Sequence, residues 1–414
     1  MEVKPGYKQT EVGVIPEDWE VEPLGTRASF KTGPFGSALH QSDYVEGGIP
    51  VINPMHINKG RITPSAKMSV AEEAACRLTD FRMRPGEIVI GRRGDMGRCA
   101  VVNEEHEGWM CGTGSMLIRP RLDHPDFLQR ILSSPIAVKA IEDASVGSTM
   151  INLNQATLSL LKIQVPPTKE QHAIATALSD MDALLDGLDR LITKKRAIKQ
   201  ATMQQLLTGQ VRLSGFSSDW GVKRLEDLAD IRSGGTPSTG DAAAWDGAIP
   251  WCTPTDITAL EGRKYLTTTN RTITEHGLRN SSAELIPAYS IVMTSRATIG
   301  ECAINTTPMA TNQGFKNLVP FDFVDVDFLY YLLSTQTQGL VGLSAGSTFL
   351  EIGKAQLRQY EIRLPPTKSE QTAIATILSD MDTEIAALET RRTKTRALKQ
   401  AMMQELLTGR TRLV

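Results

Sequence analysis

Two long segments of the chain carry apolar residues at alternating steps of four and three. Such a stripe covers one face of an α-helix; alone it most often marks a helix packed in a core, but a second matching stripe favours helix pairing. The stripes comprise Ile174, Leu178, Met181, Leu185, Leu188 and Ile192, then Ile374, Leu378, Met381, Ile385 and Leu388. After Leu388 the stripe weakens at Arg392 and Thr395, where a partner surface would cover it, and we expect Leu398, Met402 and Leu406 to resume it. The pattern predicts an antiparallel intramolecular coiled coil.

The two striped segments are copies of one sequence. Residues 170–213 read EQHAIATALSDMDALLDGLDRLITKKRAIKQATMQQLLTGQVRL, and residues 370–413 read EQTAIATILSDMDTEIAALETRRTKTRALKQAMMQELLTGRTRL. Roughly 27 of the 44 aligned positions are identical, far more than two unrelated helices would share. A repeat of this length predicts approximate two-fold symmetry within the chain.

The ends of both helices are signalled locally. Each copy follows a double proline, which favours extended backbone before it, and Thr168 or Thr367 then offers a hydroxyl at the helix start. Each copy reaches Gly209 or Gly409 after Leu-Leu-Thr, where glycine can adopt the left-handed conformation that ends a helix. About 40 residues at 1.5 Å each predict a rod of about 60 Å.

The segments that precede the two helices match each other only at landmarks. Residues 49–57 (IPVINPMHI) parallel 249–257 (IPWCTPTDI), 88–100 (IVIGRRGDMGRCA) parallel 291–303 (IVMTSRATIGECA), and 147–153 (GSTMINL) parallel 346–352 (GSTFLEI). Short β-rich runs, at 88–90, 100–102, 116–118 and 291–293, mix with short helical runs at 126–132 and 155–161. We therefore expect two α+β heads with one fold and different binding surfaces.

Composition narrows the class of protein. The 414 residues include 45 Lys and Arg against 47 Asp and Glu, and this balance argues mildly against a protein that holds DNA alone. The chain has no long apolar run and its first residues are too polar for a secretory signal, so we expect a cytoplasmic protein that crosses no membrane. Five cysteines without CxxC spacing predict buried thiols rather than disulfides or zinc ligands.

The motifs of common catalytic sites are missing from the sequence. Residues around Lys354 lack the glycine spacing and the Ser or Thr of a phosphate-binding loop, and neither HExxH nor GxSxG occurs. Neither double proline follows Asn or Asp, as it would in an amino-methyltransferase active site. The six histidines have no acid or cysteine neighbours at ligand spacing. We expect the chain to catalyse nothing and to bind no metal or cofactor.

Polar, glycine-punctuated loops occupy equivalent places in the two heads. They are residues 31–37 (KTGPFGS), 91–97 (GRRGDMG) and 111–115 (CGTGS) in the first head and 233–239 (SGGTPST), 294–300 (TSRATIG) and 311–316 (TNQGFK) in the second, with GST in both. Each loop alone is ordinary turn chemistry. Because arginine suits guanine or phosphate, Asn and Gln suit adenine, and glycine lets backbone approach phosphate, their parallel placement predicts DNA contact.

Together these features resemble the DNA-specificity subunit of Type I restriction-modification systems. IPWCTPTDI, SGGTP, TSRATIGECAI, TNQGFKNLVP and GSTFLEI look like its target-recognition domain, and the double proline, TKxEQxAIAxxLSxMD and QxLLTGxxRL are similar to its helical spacer. The resemblance covers the chain from about Tyr7 and implies target-recognition domains at 1–165 and 213–364 with helical spacers at 166–212 and 365–414. The first domain departs from the commoner pattern in its 92–94 and 111–114 loops.

The resemblance implies a division of labour. Each domain would read one half of a split, asymmetric target in double-stranded DNA, while the helices set the gap and dock two methyltransferase subunits. S-adenosylmethionine, ATP and magnesium would belong to those partners and to the restriction subunits of the full complex. The residues predicted to contact DNA are Lys31, Ser37, Arg92, Arg93, Thr113, Ser148, Thr149, Thr236, Ser295, Arg296, Asn312, Gln313, Lys316, Ser347 and Thr348.

Two other functions fit parts of the sequence. One is a coiled-coil adaptor whose two heads bind proteins or glycans, because the charge balance does not demand DNA. The other is a self-sufficient enzyme with a cryptic active site. Salt-dependent DNA binding by the complex with methyltransferase would favour the specificity subunit over the adaptor. Methylation by the pure chain would favour the self-sufficient enzyme.

Overall fold

The computed structural model describes residues 4–35, 38–144, 152–343 and 351–413. The chain divides into two compact units, residues 1–189 with 391–414 and residues 190–390. Each unit therefore combines one head with parts of both long helices. This division runs along packing contacts, whereas the four-segment division proposed above follows the order of the sequence and stays a prediction.

The two long helices are Thr168–Leu207 and Lys368–Leu406. Their starts confirm the expectation drawn from the double prolines. Gly209 and Gly409 follow the helices with φ of +72° and +71°, which confirms the left-handed stop. Glycine is needed there for a second reason, since a Cβ would lie 3.2 Å from the Trp220 ring at Gly209 and 2.4 Å from Pro16 at Gly409.

The first unit is built on two four-stranded sheets. One is antiparallel, in the order Cys99–Val101, Ile88–Gly91, Ser115–Pro120, Ala28–Thr32, and the other runs Met110–Cys111, Ile49–Ile52, Ser69–Val70, Tyr44–Val45. Paired strands are Tyr7–Thr10 with Gly13–Pro16, Glu20–Pro23 with Lys162–Val165, and Ile57–Asn58 with Arg61–Ile62. Its other α-helices are Leu24–Arg27, Glu72–Arg77, Pro125–Leu132, Pro135–Asp143 and Gln155–Leu160, with 3₁₀ turns at Gln41–Asp43, Pro54–His56, Thr79–Phe81 and Glu104–His106.

The second unit repeats this plan. A five-stranded sheet has the order Ala229–Ser233, Phe315–Pro320, Ile291–Thr294, Cys302–Asn305, Tyr265–Leu266, and a three-stranded sheet has Arg271–Ile273, Trp245–Cys252, Ala310–Thr311. Gly221–Arg224 pairs with Glu361–Leu364. Its other α-helices are Pro254–Thr258, Glu275–Arg279, Val326–Ser334, Thr337–Gly342 and Lys354–Arg358, with 3₁₀ turns at Leu225–Asp227 and Ala242–Ala244. The mixed helix and sheet content of both units agrees with the predicted α+β class.

Strand register shows that the landmarks are structurally equivalent. Ile88 pairs with Val101 and Ile118 in the first unit, and Ile291 pairs with Ile304 and Leu318 in the second. The same central strand therefore lies between the same two neighbours in each head. The loops that leave these strands can accordingly be compared position by position.

Each unit joins its head to helix ends through a buried Trp–Glu–Arg network. In the first unit the Trp19 indole N–H donates to Glu170 at 2.9 Å, and the Arg412 guanidinium donates two hydrogen bonds to the same carboxylate, at 2.7 and 2.8 Å. In the second unit Trp220, Arg212 and Glu370 make the equivalent bonds at 2.8 to 3.1 Å. A buried carboxylate requires such pairing, so each network fixes the start of one long helix against the end of the other.

Within each unit, oppositely charged residues connect the two long helices. In the second unit Lys195 pairs with Glu384 at 2.7 Å and Lys199 pairs with Asp382. The residue numbers of the paired positions therefore increase along one helix while they decrease along the other. In the first unit Arg392 pairs with Asp189 at 3.0 Å and Lys399 pairs with Asp182. The helix segments within each unit therefore run in opposite directions.

One prediction about the seam is wrong. Leu398 was expected to resume the stripe, but its side chain is 55% exposed, whereas Thr395 is 8% exposed. The buried face instead continues through Thr395, the partly buried Lys399 and Met402, and Leu406, which keeps the steps of four and three. A threonine and the stem of a lysine can occupy the seam because both side chains have apolar atoms and Lys399 directs its ammonium group to a carboxylate.

All five cysteine thiols are free, and Cys99, Cys111 and Cys252 are buried as expected, while Cys76 is exposed. Burial raises the pKa of Cys99 to about 12, so this thiol stays protonated near neutral pH. In the part of the chain that the structure describes, no group of three or more metal-ligating side chains converges. No described helix is both long and apolar enough to cross a membrane.

Candidate nucleic-acid interface

Three loops of the second head lie together at one end of the five-stranded sheet. Ser233 ends its strand opposite Lys316, and Thr294 ends its strand opposite Phe315, where the third strand begins. The loops 233–239, 294–300 and 311–314 therefore leave the same edge. Three of the polar segments that the sequence analysis grouped in the second head are therefore neighbours in space, whereas its GST segment lies outside the described residues.

Glycine allows two of these loops to pack backbone against backbone. A Cβ on Gly234 would lie 1.8 Å from the carbonyl oxygen of Asn312, and the Gly235 N–H donates to Thr311 at 2.9 Å. The Thr236 hydroxyl donates to the Gln313 side chain. The side chain of Asn312 accepts from Gly314 at 2.9 Å, so its oxygen stabilises the turn. Gln313 is exposed at the tip.

Arg296 belongs to a charged cluster centred on Glu351. Its guanidinium lies 2.8 Å from one carboxylate oxygen, and the ammonium of Lys316 lies 3.6 Å from the other. Arginine holds the pKa of Glu351 below its usual value, whereas burial lowers the pKa of Lys316. Arg296 is exposed, but Lys316 is buried beneath it.

Ser295 forms the inner part of the same loop. Its N–H donates to Gly314 at 2.7 Å and its carbonyl accepts from Ile352 at 3.0 Å. The side chain is fully buried, and its hydroxyl has no hydrogen-bond partner among the described residues. Ser295 thus holds the loop between two neighbouring segments instead of presenting its side chain at the surface.

The first head repeats this loop geometry with different side chains. The Arg92 N–H donates to Gly114 and its carbonyl accepts from Leu153, both at 2.9 Å, as at Ser295. A Cβ on Gly33 would lie 1.9 Å from Gly112, as at Gly234. The following turn has positive φ in both heads, at Gly94 and at Ala297. The two heads therefore present equivalent loops.

Charge is distributed differently in the first head. The Arg92 guanidinium donates to the Leu153 carbonyl at 2.9 Å, and burial lowers the pKa of Arg92. Arg93 and Thr113 are exposed, and Arg93 has no carboxylate partner within the described ranges. Lys31 pairs with Asp80 at 3.0 Å and lies 4.8 Å from the centre of the Phe81 ring.

The fifteen predicted contacts thus fall into four sets. Exposed residues are Arg93, Thr113, Arg296 and Gln313; partly buried ones are Lys31, Arg92, Thr236 and Asn312; buried ones are Ser295 and Lys316. Ser37, Ser148, Thr149, Ser347 and Thr348 lie outside the described residues. Strand ends and backbone hydrogen bonds bring the loops of these residues together within each head, although the Lys31 side chain itself turns to Asp80.

Sequence reasoning missed the residues that support the loops. Glu351 was read only as part of a landmark, although it balances two predicted contacts. Trp245 and Trp251 donate from their indole nitrogens to the carbonyls of Ser238 and Gly235, each at 3.0 Å, and so fix the 233–239 loop. The sequence offered one signal for these supporting residues: when the landmarks 49–57 and 249–257 are aligned, Trp251 stands opposite Val51.

Comparison with known proteins identifies one family. Its model, described as the Type I restriction modification DNA specificity domain, matches residues 16–199 and 217–396. The chain is 26% identical over 432 residues to the putative specificity subunit of the type I restriction enzyme MjaX from Methanocaldococcus jannaschii, covering 98% of this chain and 97% of that protein. It is 42% identical over 166 residues to the MjaIX specificity subunit of the same organism, a match that spans 40% of this chain and 38% of that relative.

Solved structures share the fold. The S subunit of a Type-I restriction-modification system from M. genitalium aligns over 98% of both chains with a TM-score of 0.58 and 16% identity. A chain from a study of complex assembly and conformational transition in the type I R-M system aligns with a TM-score of 0.57 and 18% identity, covering 96% of this chain and 99% of that one. Because both repeats are matched over most of their length, the chain belongs to the family of the Type I restriction modification DNA specificity domain, and it carries that domain twice.

Proposed function

We propose that this chain is the DNA-specificity subunit of a Type I restriction-modification complex, in which each head reads one half of a bipartite, asymmetric target. The observation that carries the proposal is the pair of equivalent loop clusters with different surface residues, Arg93 and Thr113 in one head and Arg296 and Gln313 in the other. Equal geometry suits two half-sites of one duplex, and unequal side chains suit different bases.

Within this proposal the predicted contacts have two roles. Exposed Arg93, Thr113, Arg296 and Gln313 would meet DNA directly, together with the partly buried Lys31, Arg92, Thr236 and Asn312. Ser295 and Lys316 would support the loops from beneath, since both are buried. Ser37, Ser148, Thr149, Ser347 and Thr348 stay proposed contacts on the basis of their glycine-flanked loops.

We further propose that the long helices form an antiparallel coiled coil that relates the two heads by a pseudo-two-fold axis and sets the gap between half-sites. The ion pairs of Lys195 with Glu384 and of Lys399 with Asp182 support this, because each connects the second half of one helix to the first half of the other. The internal repeat supports the symmetry. The proposed boundaries are 1–165 and 213–364 for the heads and 166–212 and 365–414 for the helical regions.

The chemistry would belong to partner subunits. We propose that two methyltransferase subunits dock on the helices, where Leu184, Leu191, Ile198 and Leu398 are between 38% and 55% exposed. S-adenosylmethionine would bind to those subunits, and ATP and magnesium would serve restriction subunits in the full complex. The chain would then act on DNA in the cytoplasm without catalysing a reaction itself. The family match favours this reading over the two-headed adaptor.

The test is to express the chain with the methyltransferase encoded beside it in a host that lacks adenine methylation, and to map N6-methyladenine by single-molecule sequencing. A split motif methylated on both strands would establish the function and name both half-sites. If the complex assembles and no new methylation appears, the proposal is wrong. Methylation by the chain alone would instead reveal an active site within it.

A further inference from the structure

The second head carries an exposed arginine that two tryptophans hold in place. The guanidinium carbon of Arg271 lies 3.7 Å from the centre of the Trp245 ring and 5.4 Å from that of Trp251. The two rings meet edge to face, with centres 5.0 Å apart. Both tryptophans are buried, so they form a rigid platform under an exposed cation.

The same platform is joined to the candidate interface. Trp251 donates to Gly235 and Trp245 to Ser238, which places the arginine beside the 233–239 loop. That loop in turn contacts Gln313 through the Thr236 hydroxyl. Arg271 therefore lies next to a loop that the proposed function places on DNA, although it was not among the residues predicted from the sequence.

Backbone contacts also fix the segment that carries Arg271. The hydroxyl of Thr269 donates to the backbone carbonyl of Arg271 at 2.7 Å and accepts from the backbone N–H of Trp251 at 3.2 Å. Strand pairing aligns Arg271 directly with Trp251. A side chain that is fixed at both its backbone and its guanidinium loses less conformational entropy when it binds a ligand.

The first head lacks the arginine and the tryptophan that is paired with it. The equivalent strand pair aligns Ile49 with Val70 where the second head aligns Ile249 with Ile273. By this register Val51 and Met68 stand where Trp251 and Arg271 stand, and Tyr44, which pairs with Val70, stands where Trp245 pairs with Ile273. Methionine and valine thus replace the arginine and the tryptophan paired with it, and a tyrosine replaces the second tryptophan, as expected for an arrangement that belongs to one half-site only.

The guanidinium of Arg271 has its hydrogen-bond donors available. Across residues 4–35, 38–144, 152–343 and 351–413 it has neither a carboxylate partner nor a hydrogen-bond acceptor, and its contacts are with the two rings. Arg296 differs, because Glu351 occupies part of its fork. Arginine in a fixed orientation can donate two parallel hydrogen bonds to O6 and N7 of guanine, which is the commonest specific contact to a base in the major groove.

We propose that Arg271 reads a guanine in the half-site of the second head, with Trp245 and Trp251 as the residues that position it. The inference rests on the proposed function and adds a specificity-determining residue to it. A purely structural arginine, which only covers the two rings, would affect stability without affecting which base is recognised. This difference makes the two roles separable.

The test uses the complex with methyltransferase and compares wild type with Arg271→Ala, Arg271→Lys and a control, Arg279→Ala. Arg279 is an exposed arginine of the same head, paired only loosely with Glu275 at 3.8 Å. We expect a guanine in the second half-motif of the wild type, and loss of preference at that base in Arg271→Ala. Affinity for the cognate duplex should fall about 5- to 150-fold, and Arg271→Lys should fall nearly as far because it lacks the fork.

Replacing that guanine by 7-deazaguanine, which lacks the N7 acceptor, should weaken the wild type but leave Arg271→Ala unchanged. The first half-motif should stay intact in every variant, which shows that the molecule has folded and assembled. An unchanged second half-motif in Arg271→Ala, or equal weakening on all sequences as for a phosphate contact, would overturn the inference alone. A wild-type complex that assembles without methylating DNA would overturn the proposed function, and the inference with it.

Discussion

Arg93 and Arg296 occupy the same position in loops of the same shape, yet their charges are balanced differently. Glu351 pairs with Arg296 at 2.8 Å, whereas the aligned position in the first head is Asn152. Lys316, which shares the Glu351 carboxylate, is replaced by Met116. A cation and its anion have thus been exchanged together for neutral residues. In the second head Arg296 stays at the surface, and the Glu351 carboxylate partly cancels the positive potential around it.

This balance leads to a prediction about salt dependence. The Arg296 guanidinium lowers the pKa of Glu351, and the Glu351 carboxylate in turn occupies part of that guanidinium. Glu351→Gln should release Arg296 for a phosphate, so binding of the assembled complex to random duplex DNA should become tighter at low salt. The slope of log K against log salt should steepen by about 0.9 for each added phosphate contact. Fluorescence anisotropy over a salt series measures it.

The matched control is Glu261→Gln, which removes an exposed acid of the same head. This variant should leave the slope of log K against log salt equal to that of the wild type. If Glu351→Gln also leaves it unchanged, Arg296 either contacts no phosphate or does so without being limited by its carboxylate, and the proposed field effect is wrong.

At the scale of residues, the sequence revealed which loops matter but not how their side chains are used. Gly234 and Asn312 were recognised by type, and their loops do lie together. The burial of Lys316 and the stacking of Arg271 depend on neighbours far away in sequence, which no local pattern encodes. Residues whose role is to position another residue were therefore missed.

At the scale of elements, prediction succeeded where the signal was local. The double prolines and Gly209 mark helix ends by their own backbone preferences, and the structure places the ends there. The runs at 88–90 and 116–118 are recovered as strands. Strands of two residues, such as Ser69–Val70, carry no periodicity and were not predicted. The prediction for Leu398 failed because the elements that pack against a helix decide which of its faces is buried, and the local sequence does not specify them.

The corrected seam makes a stability prediction within one helix. Leu406 and Leu398 lie on the same helix of the first unit, but Leu406 is 3% exposed and packs in the core cluster with Trp19. Leu406→Ala should lower the free energy of unfolding by about 2 to 5 kcal/mol through lost burial and a cavity. Leu398→Ala is the matched control and should change it by no more than about 0.5 kcal/mol. Urea unfolding followed by circular dichroism compares them; equal losses would restore Leu398 to the seam.

At the scale of the whole molecule, the chain uses one fold twice and differentiates the copies by exchanging groups of residues. Trp251 and Arg271 correspond to Val51 and Met68, and Trp245 corresponds to Tyr44, while the buried Trp–Glu–Arg networks at Glu170 and Glu370 are the same in both units. The positions that join head to helix are thus repeated, and those around the loops vary. Such a division allows the target to change without altering the frame, as a bipartite reader requires.

The proposed ruler can be tested by lengthening both helices where the compact units divide. Inserting four residues after Asp189 and four after Thr390 leaves each unit's sequence intact, so the contacts within residues 1–189 and 391–414 and within 190–390 can all be kept. Four residues add one helical turn, about 6 Å, which corresponds to roughly two base pairs at 3.4 Å each. The methylated motif should keep both half-sequences, and its gap should lengthen by roughly one or two bases.

The control places the same insertion between Ser217 and Ser218, in an exposed segment outside the helices, and should leave the gap unchanged. A longer gap only in the helix variant supports the ruler, whereas altered half-sequences with the original gap would show that the helices do not set the spacing.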